Sequence, residues 1–292
     1  MCAAGGSSPD SWAVWTLLTM NVLAEFAQSR ELLANLTLRE LRGQYKRSVL
    51  GWTWSLLNPI SLMIIYTIVF VGFFKVQPTV GDPSGINSFP MWLMCGLLPW
   101  TFVSGSLTGS MATLIGNAGL IKKVYFPREL LPFSTVLSLD VTFLIEMGVL
   151  TAFIAVFGSW TVLPWILPAV LIIAIITIYA AGLGLMFSVL NVYFRDMQYL
   201  IGILMNLWFY LTPIVYPIKL VDDFANSGHA WAGKAYRLNP MVEFVGVIRA
   251  LIYDRTTPGV PSMLYILGWG IGMFLFGLWV FRRFEGRLAE EL

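Results

Sequence analysis

The chain has 292 residues, of which 58% are hydrophobic and 12% charged, and carries a net charge of +2. Soluble domains hold about 25% charged residues, so this composition excludes an ordinary soluble domain, and so small a charge gives nucleic acid little to bind. The apolar residues come in long runs, which points to a chain that crosses a membrane several times.

Residues 1–10 are small and polar and are expected to be disordered. Trp12, Val14, Trp15, Leu18, Val22, Leu23 and Phe26 share part of a helical face that Asn21, Glu25 and Gln28 interrupt. Residues 12–43 therefore read as one or two amphipathic helices on the membrane surface. An extra span over 11–29 is the alternative, and Glu25 weighs against it. No Lys or Arg precedes Asp10 and no clean cleavage pattern follows, so a signal peptide is not expected. Cys2 and Cys95 suggest no disulfide framework.

The first strong span covers about 50–74, long enough to cross with some tilt. Asn58-Pro59 inside it predicts a kink. A polar loop over 75–90 leads to the second span, 89–114, in which Gly96, Pro99, Gly105 and Gly109 suit close helix contact. The stretch 115–131 is a short basic and aromatic connection. The third span, 133–157, contains Asp140 and Glu146; a tight loop at 158–164 leads to the fourth, 165–189, with Gly182 and Gly184. Arg195 and Asp196 precede the fifth, 199–216, which closes on Leu-Thr-Pro-Ile-Val-Tyr-Pro, and the sixth is 263–281.

Between the last two spans lies a long polar region in which Asn239-Pro240 is a helix start, with Asn as cap and Pro at the first position. Met241, Phe244, Val245, Ile248, Leu251 and Ile252 form a stripe opposite Glu243 and Arg249. That helix is expected in the outer interface or partway into it. The fold class is thus an all-α integral membrane protein: a tail and amphipathic interface helix over 1–48, then a six-span domain over 49–292. Lys and Arg gather before span one, between spans two and three, between four and five, and after six. By the positive-inside rule both termini face the cytoplasm.

Few residues can carry chemistry. The lone histidine, His229, leaves no His-based metal site or triad. Gly228 and Lys234 match phosphate-loop spacing, but residue 235 is Ala where a magnesium-binding Ser or Thr is needed. Any ATP used is expected on another chain. Asp140 and Glu146 are six residues apart on different faces, which favours helix–helix hydrogen bonds over ion coupling. Trp52, Trp54, Trp92, Trp100, Trp160 and Trp165 lie near span ends, where interface anchoring is the ordinary role. Trp52, Trp54 and Tyr66 are candidates to face a channel and stack on sugar rings. Arg39, Arg42, Lys46 and Arg47 either anchor the chain to anionic lipid or receive the phosphate of a lipid carrier.

The stretch 45–59, Tyr-Lys-Arg-Ser-Val-Leu-Gly-Trp-Thr-Trp-Ser-Leu-Leu-Asn-Pro, resembles the start of the first span in permeases of bacterial polysaccharide-exporting ABC transporters. The resemblance continues in Lys-Lys-Val-Tyr-Phe-Pro-Arg-Glu-Leu-Leu-Pro at 122–132, Asn-Val-Tyr-Phe-Arg-Asp at 191–196, the Leu-Thr-Pro-Ile-Val-Tyr-Pro at 211–217, and Leu-Asn-Pro-Met at 238–241. Those permeases export lipid-linked O-antigen, teichoic acid, capsule or mycobacterial galactan. The resemblance implies a homodimer in the bacterial cytoplasmic membrane, with two copies of a separate nucleotide-binding subunit that hold the ATP and magnesium; this chain would bind no cofactor. It makes 115–131 the coupling helix, docking through Lys122, Lys123, Tyr125, Phe126 and Arg128. It makes 30–47 the interface helix where the lipid headgroup is admitted, and 217–255 the outer gate, with Asn239, Pro240 and Phe244. Two other readings are an exporter of small drugs or lipids and a membrane glycosyltransferase. The latter needs acidic pairs on inner loops, where only Glu129 and Asp196 stand out.

Overall fold

The computed structural model describes residues 29–46, 50–75, 80–158 and 160–291. Residues 12–28 of the expected surface helix lie outside the described residues. Among the described residues all regular structure is helical. Helix α1 is Arg30–Tyr45, α2 Trp54–Tyr66 with a π-helical continuation Thr67–Phe73, and α3 Phe89–Gly116. A four-residue helix α4, Ala118–Ile121, precedes α5, Leu130–Phe157, and α6, Ile166–Tyr193. Then come α7, Met197–Tyr210, two short helices α8, Lys219–Asn226, and α9, Ala230–Arg237, then α10, Pro240–Ile248, and α11, Val260–Phe284.

Among the described residues, four stretches are long and apolar enough to cross a membrane: Trp54–Phe73, Leu130–Phe157, Trp160–Tyr193 and Val260–Phe284. Helix α3 has 28 residues and the length to span, about 42 Å at 1.5 Å per residue. It lies between α5 and α6 with most of its residues buried, so protein rather than lipid surrounds it and Ser, Thr and Gly are tolerated along it. Helix α7 is only 14 residues, roughly 21 Å, and ends at Tyr210, short of the expected 216. Pro213 is the reason: it disfavours helix at Thr212 and supplies no amide to continue one.

Small residues set the central packing. A Cβ placed on Gly277 of α11 would overlap the carbonyl oxygen of Gly182 on α6, and one on Gly182 would overlap that of Met273. Backbones this close are open only to glycine, and the resulting van der Waals contact is what holds helices together where lipid removes the hydrophobic drive. Gly109 likewise admits Thr135, where the hydroxyls of Thr113 and Thr135 lie 2.8 Å apart between α3 and α5. One apolar cluster fills the middle and one end of the bundle; a second, from Leu36 through Leu114, Leu131 and Leu185 to Phe281, closes the other end.

Helices α2 and α7 stand apart. Ile64, Ile65, Ile68, Phe73 and Phe74 on α2 and its continuation are exposed, as are Tyr199, Ile203, Leu207 and Tyr210 on α7.

Replacing Gly277 by Val is expected to lower the thermal midpoint of the purified protein in detergent, at a cost of about 1–3 kcal/mol or more for overpacking. Gly268→Val on the same helix meets open space and is expected to leave the midpoint unchanged. Equal effects at both positions would contradict this packing account.

Candidate functional site

The two ends of the bundle differ in chemistry. At one end α1 lies along α5, with Leu36 and Leu41 buried and the Gln44 side chain donating to Ser138 Oγ at 3.3 Å. Its other face turns Arg42 outward, and Lys46 just beyond the helix is exposed too; Arg47 lies outside the described residues. Arg39 is exposed but engaged. Its guanidinium donates to Glu40 at 2.9 Å and to Asn117 Oδ1 at 2.8 Å, on the turn between α3 and α4. The three described cations therefore divide: Arg39 ties α1 to the connection, while Arg42 and Lys46 face out.

The connection itself divides in the same way. Lys122, Lys123, Val124 and Tyr125 are exposed, Tyr125 completely. Phe126 is half-buried against the cluster at this end, and Arg128 donates to the Glu285 carbonyl at 2.9 Å. Arg282 pairs with buried Glu129 at 3.5 Å, and the Tyr193 hydroxyl donates to the Phe284 carbonyl. Phe126 and Arg128 thus fasten the connection to the end of α11, and Tyr125 is the aromatic presented outward. Arg195 and Arg283 are exposed at the same end.

At the opposite end Asn239 caps α10 by accepting from the Met241 amide at 3.0 Å. The same Oδ1 accepts from the Trp208 indole at 2.8 Å, and its Nδ2 donates to the Leu211 carbonyl and Thr212 hydroxyl. Asn239 therefore joins α10 to the end of α7, with Pro240 at the first helical position. Phe244 is fully buried, its ring 5.3 Å from that of Tyr179. It is a core residue behind the outer segment. Asp222 and Arg237 pair at 2.8 Å between α8 and α9, and hydrogen bonding and proximity to Asp222 raise the Arg237 pKa. Burial first, and then the Tyr216 hydroxyl 3.0 Å away, pushes the Tyr236 pKa up, which keeps that phenol neutral.

The residue that pattern reading placed wrongly is Arg249. The stripe puts it on the polar side of α10, yet it is buried. Its guanidinium lies over the Trp92 ring, 3.6 Å from the centroid, and donates to the carbonyls of Trp92, Pro213 and Ile214. Gly96 leaves the room: a Cβ there would lie 2.8 Å from an Arg249 nitrogen. Helix α10 as a whole is buried deeper than an interfacial helix, because its neighbours α3, α6 and α11 enclose it. The available signal was a lone Arg in an apolar helix, which at membrane depth always needs partners.

Within the spans, Thr177 on α6 donates to Asp140 at 2.6 Å, and Asn58 on α2 lies 3.5 Å from Glu146 on α5. Both acids are thus engaged in helix–helix hydrogen bonds. Of the channel-aromatic candidates, Trp54 and Tyr66 are not brought together. Trp54 is exposed at the start of α2, and Tyr66 lies twelve residues on, about 18 Å along the helix. Tyr66 instead begins a run of rings through Phe70 and Phe89 to Trp92, with centroids 5.8, 5.1 and 5.9 Å apart. The Trp52 side chain lies outside what the structure describes.

A profile of the ABC-2 type transporter family matches residues 31–253, from α1 to the far side of Arg249. The chain belongs to that family. This ABC-2 type transporter is 32% identical over 263 residues to an O-antigen export system permease protein, RfbA, of Klebsiella pneumoniae, covering 90% of this chain and 95% of the relative. It is 28% identical to the RfbA of Myxococcus xanthus, over 94% of this chain and all of that one. To the polysialic acid transport protein KpsM of Escherichia coli it is 24% identical, over 86% of this chain and 92% of the relative. The family match takes in both ends of the transporter, the basic connection and the Asn239–Arg249 segment.

Replacing Arg249 by Met leaves the Pro213 and Ile214 carbonyls without a donor, at about 1–3 kcal/mol each. Lys is expected to recover part of this, since a single ammonium cannot match the planar fork. Amide exchange at Ile214, Val215 and Tyr216 is expected to accelerate in both variants, more in Met; unchanged protection there would contradict the clamp.

Proposed function

We propose that this chain is the channel-forming permease subunit of an ATP-driven exporter that moves a lipid-linked polysaccharide across the bacterial cytoplasmic membrane. The observation that carries the reading is the exposed Tyr125 among Lys122 and Lys123 on a connection otherwise bolted to the bundle. A whole aromatic ring left in water beside cations suits a pocket on a partner protein, and a rigid mounting suits the transmission of force. The partner is a separate nucleotide-binding subunit, present in two copies, which holds the ATP and magnesium. No catalytic step falls to this chain.

The wider family match and the names of the polysaccharide-exporting relatives support the glycan as cargo over a small drug or lipid. Six spans follow if α3 and α7 cross together with the four apolar stretches. The concentration of exposed Lys and Arg at the end bearing α1 and α4 supports a cytoplasmic setting for that end and for both termini. The unpartnered apolar faces of α2 and α7 suit a second copy of the chain, with a channel between the two. Arg42 and Lys46, exposed on and just beyond α1, are cations suited to receive a carrier phosphate.

Tyr125→Ala is expected to cost about 2 kcal/mol or more in affinity for the nucleotide-binding subunit, and to depress export with normal membrane insertion. Phe126→Ala is expected to lower the stability of the chain instead. Wild-type export and partner retention in Tyr125→Ala would remove the main support for the assignment. Arg42→Glu is expected to reduce export more than Arg283→Glu in the same assay, and equal effects would leave Arg42 a lipid anchor.

A further inference from the structure

A crevice of about 370 Å³ opens from the side of the bundle between α5 and α6, toward the end away from the basic connection. Gly148, Ala152 and Val156 form one wall at helical spacing, Val170 stands on the other, and Trp160 and Ile252 lie at its outer end. Its size falls in the range of about 300–1,000 Å³ usual for small-molecule sites. The depth comes from missing side chains, since a Cβ on Gly148 would meet nothing within 4 Å. Both walls belong to stretches apolar enough to cross a membrane, so the medium at the opening is lipid hydrocarbon.

The outer rim is polar and positive. Ile252 is three residues before Arg255, whose left-handed backbone (φ 62°) turns the chain out of the π-helical segment Arg249–Asp254. The Arg255 guanidinium donates to the hydroxyl of Thr161, next to Trp160. Trp160 lines the slot, and Thr161 and Arg255 follow lining residues by one and three positions, so an indole, a hydroxyl and a cation gather toward its outer end. That is the complement of an amphiphile with a phosphate head and a hydrocarbon tail: guanidinium matches phosphate oxygens as a planar fork, and indole favours the headgroup level.

We infer that the crevice holds one acyl chain of a bilayer glycerophospholipid, with the lipid's phosphate at Arg255 and Thr161. A resident lipid fits better than a translocated one, because the lining runs only from Leu144 to Ile173 with Ile252 and takes in no residue of the basic end. The inference is independent of what the transporter exports.

The test uses the full-length protein in mild detergent, titrated by native mass spectrometry with palmitoyl-oleoyl-phosphatidylglycerol and with the matching diacylglycerol. The wild type is expected to take up one phosphatidylglycerol per chain ahead of a weaker, graded series. Gly148→Leu grows into open space and is expected to weaken that first site about tenfold or more. Val170→Phe fills the same slot from the α6 wall and is expected to do likewise, so either variant that keeps the wild-type thermal midpoint decides the point. Arg255→Gln is expected to weaken phosphatidylglycerol several-fold and leave diacylglycerol unchanged. Wild-type uptake in the filled variants would overturn the site, and equal weakening of both probes by Arg255→Gln would overturn the phosphate contact.

Discussion

A buried positive charge has to be answered, and the answer given to Arg249 organises the half of this protein away from the basic connection. A guanidinium carries five donors and stays protonated at any physiological pH. Removing it from water is repaid only when those donors find acceptors. Here the acceptors are backbone carbonyls from two places, Trp92 near the start of α3 and Pro213–Ile214 after α7, with the Trp92 ring beneath. Three segments far apart in sequence are joined by one side chain. Each gives the charge something it cannot find elsewhere, so none can leave without exposing an unpaired group. The Trp92 ring also continues the run from Tyr66, which extends the clamp to α2.

The opposite end is held by many small fastenings. Arg128 on the Glu285 carbonyl, Arg282 on Glu129, Tyr193 on the Phe284 carbonyl and Arg39 on Asn117 are partly exposed contacts, individually worth little. Together they fix the connection to α1, α6 and α11. Between the ends, the backbone contact of Gly182 with Gly277 packs α6 tightly against α11. Helices α2 and α7 are tied at fewer points, α2 through Asn58 on Glu146 and the rings from Tyr66, α7 through Trp208 on Asn239. The basic connection and the Asn239–Arg249 segment are thus joined through α3, α6 and α11, while α2 and α7 keep exposed apolar faces.

Much of this was legible in the sequence. The runs around α3, α5, α6 and α11 are long and bounded by polar loops, and their limits are nearly as read. Asn239-Pro240 announced α10 through capping chemistry, and the indole of Trp208 adds a use for the same amide oxygen. What failed did so for physical reasons. Pattern reading takes every charge as wet, but the open strip of α10 is narrow, Glu243 and Gly246 alone, and Arg249 turns away from it into the bundle. The span ending at 216 took apolar content as helix, although Pro213 stops α7 at Tyr210. Helices α8 and α9 are amphipathic, with Leu220, Val221 and Phe224 on one face of α8, but at eight residues each they are too short to stand out in a polar stretch. The basic residues were legible as a group, but the division into fasteners (Arg39, Arg128) and outward-facing cations (Arg42, Lys122) depends on contacts across 78 and 157 positions.

The account treats the protein as two-ended: a basic end where the driving partner docks, and a clamped end on the far side of the membrane. Single cysteines test that most directly. In a Cys2→Ser, Cys95→Ser background, Lys123→Cys and Trp231→Cys would each be exposed in intact cells to a membrane-impermeant maleimide. The account predicts labelling of residue 231 at once, and of residue 123 only after the membrane is opened. Labelling of residue 123 in intact cells, or protection of residue 231, would contradict it.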